Sequence, residues 1–321
     1  MEKIEVGNQE IADFMEEVVL ENGNLRVAVL PALGGKIASI RIHPEGEELL
    51  QAPLRPYAPR TQYMSFDAGD ASGWDECLPS VAGCEIEIAS RAVTIPDHGD
   101  FWQVVWLVES RSEYELTLAA QGFSLPLNFR KKLRLEGESL HIEYSVRNRS
   151  AEPVDYLWSA HPGFAVEEGD RILLPPSVRE VTVEGSRKNR LGNQGTRHSW
   201  PHTHANGQTI DFSVAGKATD GIGDKLFAKA PAEGWCAIER KRLKRKVAFH
   251  FDAAQLPYLG LWICYGGWPE TQTQRQHCVA MEPCTTEGDS LAAAIKEGRA
   301  RRISAGSEDR WALELRVTGV S

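Results

Sequence analysis

The chain has 321 residues, 42% hydrophobic and 25% charged, which is enough apolar material for a sizeable core and excludes disordered and collagen-like classes. A formal net charge of -9 with scattered basic residues disfavours nucleic acid and anionic membrane surfaces as partners. A small or neutral partner is expected instead.

No apolar run approaches the roughly 18 residues that span a bilayer. The opening, Met1 to Glu5, is acidic and lacks the apolar core of a secretory signal, so a cytoplasmic location is expected. Six cysteines (Cys77, Cys84, Cys236, Cys264, Cys278 and Cys284) form no C-x-x-C pair and match neither a zinc nor a disulfide scaffold. They read as reduced, small core hydrophobes.

In chain order, a helix is predicted over Asn8 to Val18. Strands follow at Leu25 to Leu30 and Lys36 to Ile42, around the turn Pro31-Ala32-Leu33-Gly34-Gly35. Further strands are predicted at Gln103 to Val108 and Tyr114 to Ala119. Leu127 to Leu135 and Ser139 to Val146 alternate in polarity around Glu136-Gly137-Glu138 and read as a hairpin. Val154 to Ser159, Val178 to Val183, Lys246 to Asp252, Tyr258 to Tyr265, Cys278 to Glu282 and Trp311 to Val317 complete the strand set. A short helix is expected after Asp289, read as its N-cap, ending at Gly298. Glu184 to Gly207 is the least ordered-looking stretch. With no linker and no repeat, one all-β domain over residues 1–321 is expected, residues 1–20 forming an extension or edge segment.

Four segments combine ionisable and aromatic residues with turn glycines. They are Ser72 to Pro79, Pro96 to Trp102, Ser159 to Phe164 and Ala280 to Cys284. Aromatic faces suit the C–H surface of a pyranose, and polar side chains take its hydroxyls. Trp74, Asp75 and Glu76 are candidate sugar contacts, although adjacent residues of an extended chain point opposite ways. His161 reads either as a hydrogen-bonded structural histidine or as an acid–base group. Glu282 ends an apolar strand before a proline, so it is either solvated at the strand end or carried inward at a cost. His198, His202 and His204 read as a surface loop rather than a metal site, because no carboxylate is organised beside them. No G-x-S-x-G or phosphate-cradling glycine motif occurs.

The order of Gly34-Gly35, Gly73 to Pro79, His98-Gly99, Ala160 to Phe164 and Met281-Glu282-Pro283 resembles the galactose mutarotase-like (aldose 1-epimerase) superfamily, in its aldose-epimerase-like branch. The resemblance covers Asn24 to Val317 and implies a β-supersandwich, mostly antiparallel. It implies that Glu282 is the general base, His161 the general acid and His98 a sugar-binding histidine near the ring oxygen, with Asp224 contacting hydroxyls. Members carry an arginine before the region of Gly73, where this chain has Ala71-Ser72. Arg60 or Lys225 is left to fill that part. The negative charge of Asp75 and Glu76 argues for a neutral or aminated sugar over a phosphosugar. An aldose 1-epimerase needing no metal or organic cofactor is therefore expected. Non-catalytic carbohydrate binding is the alternative, and lyase or glycosidase chemistry stands third.

Overall fold

The computed structural model describes residues 16–88 and 90–320. The helix expected over Asn8 to Val18 falls almost wholly outside these residues. Its last residue, Val18, begins the Val18–Glu21 strand at one edge of an 11-stranded sheet. From that edge the strands run Leu25–Leu30, Lys36–Ile42, Trp74–Cys77, Ser159–Ala165, His277–Cys284, Tyr258–Tyr265, Ile222–Lys229, Glu180–Ser186 and Arg197–Ser199. The short Glu47–Glu48 strand pairs beside Lys36–Ile42. Neighbouring strands are antiparallel throughout.

An 8-stranded antiparallel sheet lies in the order Arg171–Leu173, Trp235–Arg240, Arg245–Phe251, Glu308–Gly319, Ser139–Asn148, Leu127–Glu136, Glu115–Gln121, Leu107–Arg111. The sequence explains its centre. Leu127–Glu136 alternates buried and accessible residues along its length, the mark of a strand with one face on a core. It pairs with Ser139–Asn148 through a tight turn closed by Glu136 opposite Ser139. Gly137 takes the positive φ of 57° that such a turn needs. One cluster of buried apolar residues spans both sheets. Trp74 of the larger sheet meets Phe249 of the smaller edge-on, with ring centroids 5.3 Å apart. This is the mostly antiparallel β-supersandwich expected from the sequence. Among the described residues no helix is long and apolar enough to cross a membrane.

Three local readings change. Gln103 to Val108 is not one strand. Gln103 closes a turn, its amide nitrogen bonding Gly99 O, and the strand starts only at Leu107. Val154 to Ser159 divides, because Val154–Tyr156 pairs with Arg301–Ile303 while Ser159 opens the next strand. Glu184 to Gly207 contains strands at Arg197–Ser199 and His202–Ala205. His198 is buried there, with its ring nitrogens on Thr203 and the Leu191 carbonyl. The helix after residue 289 spans Leu291–Lys296 and is capped by Ser290, whose hydroxyl accepts from Ala293 N.

Candidate active site

Adjacent strands of the larger sheet, Ser159–Ala165, His277–Cys284, Tyr258–Tyr265 and Ile222–Lys229, carry His161, Glu282, Trp262 and Lys225 in that order. Glu282 is opposite Gly260, and Lys225 is opposite Trp262. Gly260 lies on the strand between Lys225 and Glu282, and its missing side chain leaves room for the Lys225 ammonium to reach Glu282 Oε2. A Cβ at residue 260 would stand 2.9 Å from that oxygen and 3.2 Å from Glu282 Cβ. Gly260→Ala is expected to push the carboxylate aside and loosen its bridge to Lys225, lowering the unfolding free energy by roughly 1–3 kcal/mol, the usual cost of overpacking. Urea unfolding would check this, and unchanged stability would mean that the bridge does not depend on the missing side chain.

Glu282 is fully buried, and its oxygens are taken up from three sides. Oε1 lies 3.0 Å from His161 Nδ1, while Oε2 meets Lys225 and lies 3.4 Å from Ser159 Oγ. Burial opposes its ionisation, but the Lys225 ammonium and His161 prevail and hold it at about 2. Glu282 is therefore an anion at every ordinary pH. Lys225 is raised despite its burial by Asp289 and Glu282. Burial pushes His161 below the usual imidazole value, with Glu282 opposing and His98 and Lys225 reinforcing the shift. Asp289, 3.4 Å from the Lys225 ammonium, is raised to about 6 by burial and the nearby carboxylates.

His98 supplies a second imidazole. It adopts φ 58°, an uncommon backbone state for a side-chain-bearing residue that often marks function. Gly99 after it also has positive φ, and a Cβ there would lie 2.1 Å from Leu78 O. His98 Nδ1 is 2.8 Å from Asp97 Oδ1, and Asp97 Oδ2 accepts from Phe66 N. The His98 ring stacks on Phe66 at 3.8 Å and sits 5.1 Å, centroid to centroid, from the His161 ring.

These groups border a cavity of about 290 Å³, with Phe66, Trp262 and Trp268 as aromatic walls. That is close to the lower end of the usual range for small-molecule sites, about 300–1,000 Å³. Trp262 is fixed by its indole N–H donating to Gln276 Oε1 at 2.9 Å, and Gln276 in turn donates to Ala71 O.

Of the residues singled out from sequence, His98, His161 and Lys225 border the cavity, and Glu282 lies under its floor, bonded to two of them. The others sit elsewhere. Trp74 and Glu76 turn into the space between the sheets, where Glu76 binds Lys131, Tyr144 and Trp158. Asp75 turns the other way but is consumed by Lys36 and Arg60. Arg60 also binds Asp70 and the Trp102 carbonyl, so it is committed to a buried cluster of two cations and two carboxylates. Asp224 is buried against Ser186 and Arg190. The charge argument from Asp75 and Glu76 therefore fails, because each is neutralised away from the cavity. Sequence reasoning missed Phe66, Trp268, Gln276 and the carboxylate role of Asp289. Trp268, in the turn Gly266-Gly267-Trp268-Pro269, carried the best available signal.

Four adjacent strands of the larger sheet, with the turns and loops that carry Phe66, His98, Trp268 and Asp289, thus bring aromatic walls, two imidazoles and buried carboxylates together at one cavity of a supersandwich. The aldose 1-epimerase family profile matches residues 16–194, more than half of the sequence, and the chain belongs to that family. The matched region includes His98 and His161 but ends before Lys225, Glu282 and Asp289. Similar folds include a galactose mutarotase related enzyme from Lactobacillus acidophilus, at 16% identity over 95% of this chain and 98% of that one, with a TM-score of 0.70. A galactose mutarotase-like protein from Lactobacillus casei aligns at 13% identity over 94% and 100% of the two chains, with a TM-score of 0.66. One from Clostridium acetobutylicum aligns at 13% over 95% of each, with a TM-score of 0.65.

Proposed function

We propose that the chain is an aldose 1-epimerase interconverting the anomers of a free, uncharged aldose in the cavity above His98 and His161. The reaction removes a proton from the C1 hydroxyl and adds one to the ring oxygen. The ring opens, C1–C2 rotates, and the ring recloses on the other face of the aldehyde. The observation that carries this reading is the pair of imidazoles on one cavity, each tied through Nδ1 to its own carboxylate.

The two histidines are not equivalent. Anionic Glu282 favours the His161 tautomer with its proton on Nδ1, leaving the Nε2 lone pair for the sugar. Burial favours the neutral ring, so His161 acts as the base on O1–H. Asp97, held anionic against its burial by His98 and the Phe66 amide, anchors His98 through Nδ1 and orients it to protonate the ring oxygen. On reclosure His161 returns its proton to O1 and His98 recovers one from O5, so both end as they began. Glu282 thus works through His161, because its buried oxygens are already occupied. This differs from the two-sided Glu282–His161 pair that the resemblance implied.

Phe66, Trp262 and Trp268 supply apolar faces for the C–H surface of the sugar. Asp67, Asp97 and Asp289 border the cavity, whereas Lys225, the one ammonium there among the described residues, is paired with Glu282. That balance disfavours a phosphate ester. Saturation-transfer NMR across free aldoses is expected to show accelerated anomer exchange, faster for glucose than for glucose 6-phosphate. Preference for the phosphate would overturn the substrate class. Binding without acceleration would make the chain a recognition module.

A further inference from the structure

We propose that the cavity floor is also a binding site for a soft, tetrahedrally coordinated divalent cation such as zinc, held by Cys77, His98 and His161. One ligating atom of each residue lies within 4.8 Å of the other two. A zinc ion with Zn–S of about 2.3 Å and Zn–N of about 2.0 Å sets its ligands roughly 3.3–3.7 Å apart. The three groups therefore need to close by at most roughly 1.1–1.5 Å to reach that spacing. Both histidine side chains are partly accessible, at 17% for His98 and 13% for His161.

Three further features favour a metal over a chance cluster. Each imidazole is anchored through Nδ1 by a carboxylate, His98 by Asp97 and His161 by Glu282, so Nε2 is the ring nitrogen left to ligate. Carboxylate–imidazole pairs of this kind orient metal-bound histidines and raise their basicity. Cys77 sits in register with Ser159 on the strand that also carries His161, so the sheet itself fixes the thiol's place relative to that ring. Among the described residues, Glu282, Asp97 and Asp289 set three carboxylates against the Lys225 ammonium around the site. One sulfur and two nitrogens select zinc or cobalt over magnesium or calcium, which prefer oxygen ligands. The cavity provides both the entry path and an open fourth coordination position.

On binding, the Cys77 S–H bond breaks, a sulfur–metal bond forms, and the proton leaves to buffer. The metal then occupies the nitrogens that the epimerase reading assigns to proton transfer. Metal and sugar turnover are therefore mutually exclusive, a consequence that rests on that reading, whereas the binding itself does not.

The probe is cobalt(II) added to the chelator-stripped full chain. One equivalent is expected to give visible bands of tetrahedral cobalt and a near-ultraviolet thiolate-to-cobalt band, both displaced by zinc. Cys77→Ser should abolish the thiolate band, and His98→Gln should weaken zinc binding at least tenfold in calorimetry. Cys84→Ser, which changes a cysteine outside the cluster, should leave the spectrum unchanged. No band in the wild-type chain would overturn the proposal, as would a band persisting in folded Cys77→Ser. If Cys77→Ser does not fold, His98→Gln decides, since unchanged zinc affinity there overturns the site. A cobalt spectrum in a chain that never accelerates anomer exchange would leave the metal site standing and remove the epimerase reading. Exchange that zinc inhibits in the wild type but not in Cys77→Ser would support both.

Discussion

Glu282→Gln is expected to lower the unfolding free energy by about 3 kcal/mol, as breaking a buried ion pair does. The amide no longer balances the Lys225 ammonium, which is itself only 9% exposed. The value sits at the low end for such pairs because Asp289 remains 3.4 Å from the ammonium. Lys225→Met should cost a similar amount by leaving the carboxylate with His161 and Ser159 alone. The double variant should recover most of the loss, since removing both charges together leaves neither one buried without its partner. Urea unfolding of the four proteins checks this, and additive losses would mean that the two groups do not share one interaction. The acid dependence points the same way. Glu282 has a folded value of about 2 against an ordinary 4.5, so its stabilisation is complete above 4.5 and disappears as pH falls through about 2. Asp289 acts in reverse. Raised to about 6, it favours the folded state below 3.8, and that contribution is lost as pH rises through 6.

The parts of this architecture legible in the sequence are those that local pattern determines. The strict alternation of Leu127 to Leu135 shows one core face, and Tyr258 to Tyr265 forms a strand with those same ends. Gln103 to Val108 misleads because its apolar residues serve different purposes. Trp106 is buried and donates to Phe101 O, while Val105 and Leu107 remain exposed. Parity correctly sends Asp75 and Glu76 to opposite sides of their strand. It cannot show that Lys36 and Lys131, 39 and 55 positions away, neutralise them. His98, His161 and Glu282 stood out by motif, yet their pairing rests on sheet register that joins residues 121 positions apart. Asp289 stands where the sequence places a helix cap. With Ser290 taking that part, the aspartate is released to the cavity. The aromatic walls have no common local signature, because Phe66, Trp262 and Trp268 come from a turn of 3-10 helix, a strand and a loop.

If the chain exchanges anomers as proposed, the pH profiles of variants at His161 and Asp289 distinguish the two groups able to act as the base. If His161 accepts the C1 hydroxyl proton, kcat/KM holds as pH falls through the ordinary imidazole range. It drops only below 6.5, as the buried ring takes up its proton. His161→Asn should then slow exchange about 10²–10⁴-fold, the usual contribution of a positioned base, and erase that limb. Asp289→Asn should retain the limb, because it alters the neighbour of Lys225 but not the proton acceptor. Asp289 as the base would reverse the variants' behaviour, with a limb near 6 that Asp289→Asn removes and His161→Asn keeps in residual form. Glu282 cannot produce either limb, since it stays ionised down to about 2. Its replacement by glutamine acts instead on the tautomer of His161, so kcat should fall with little change in KM. A fall confined to KM would mean that Glu282 serves sugar binding and not the proton transfer.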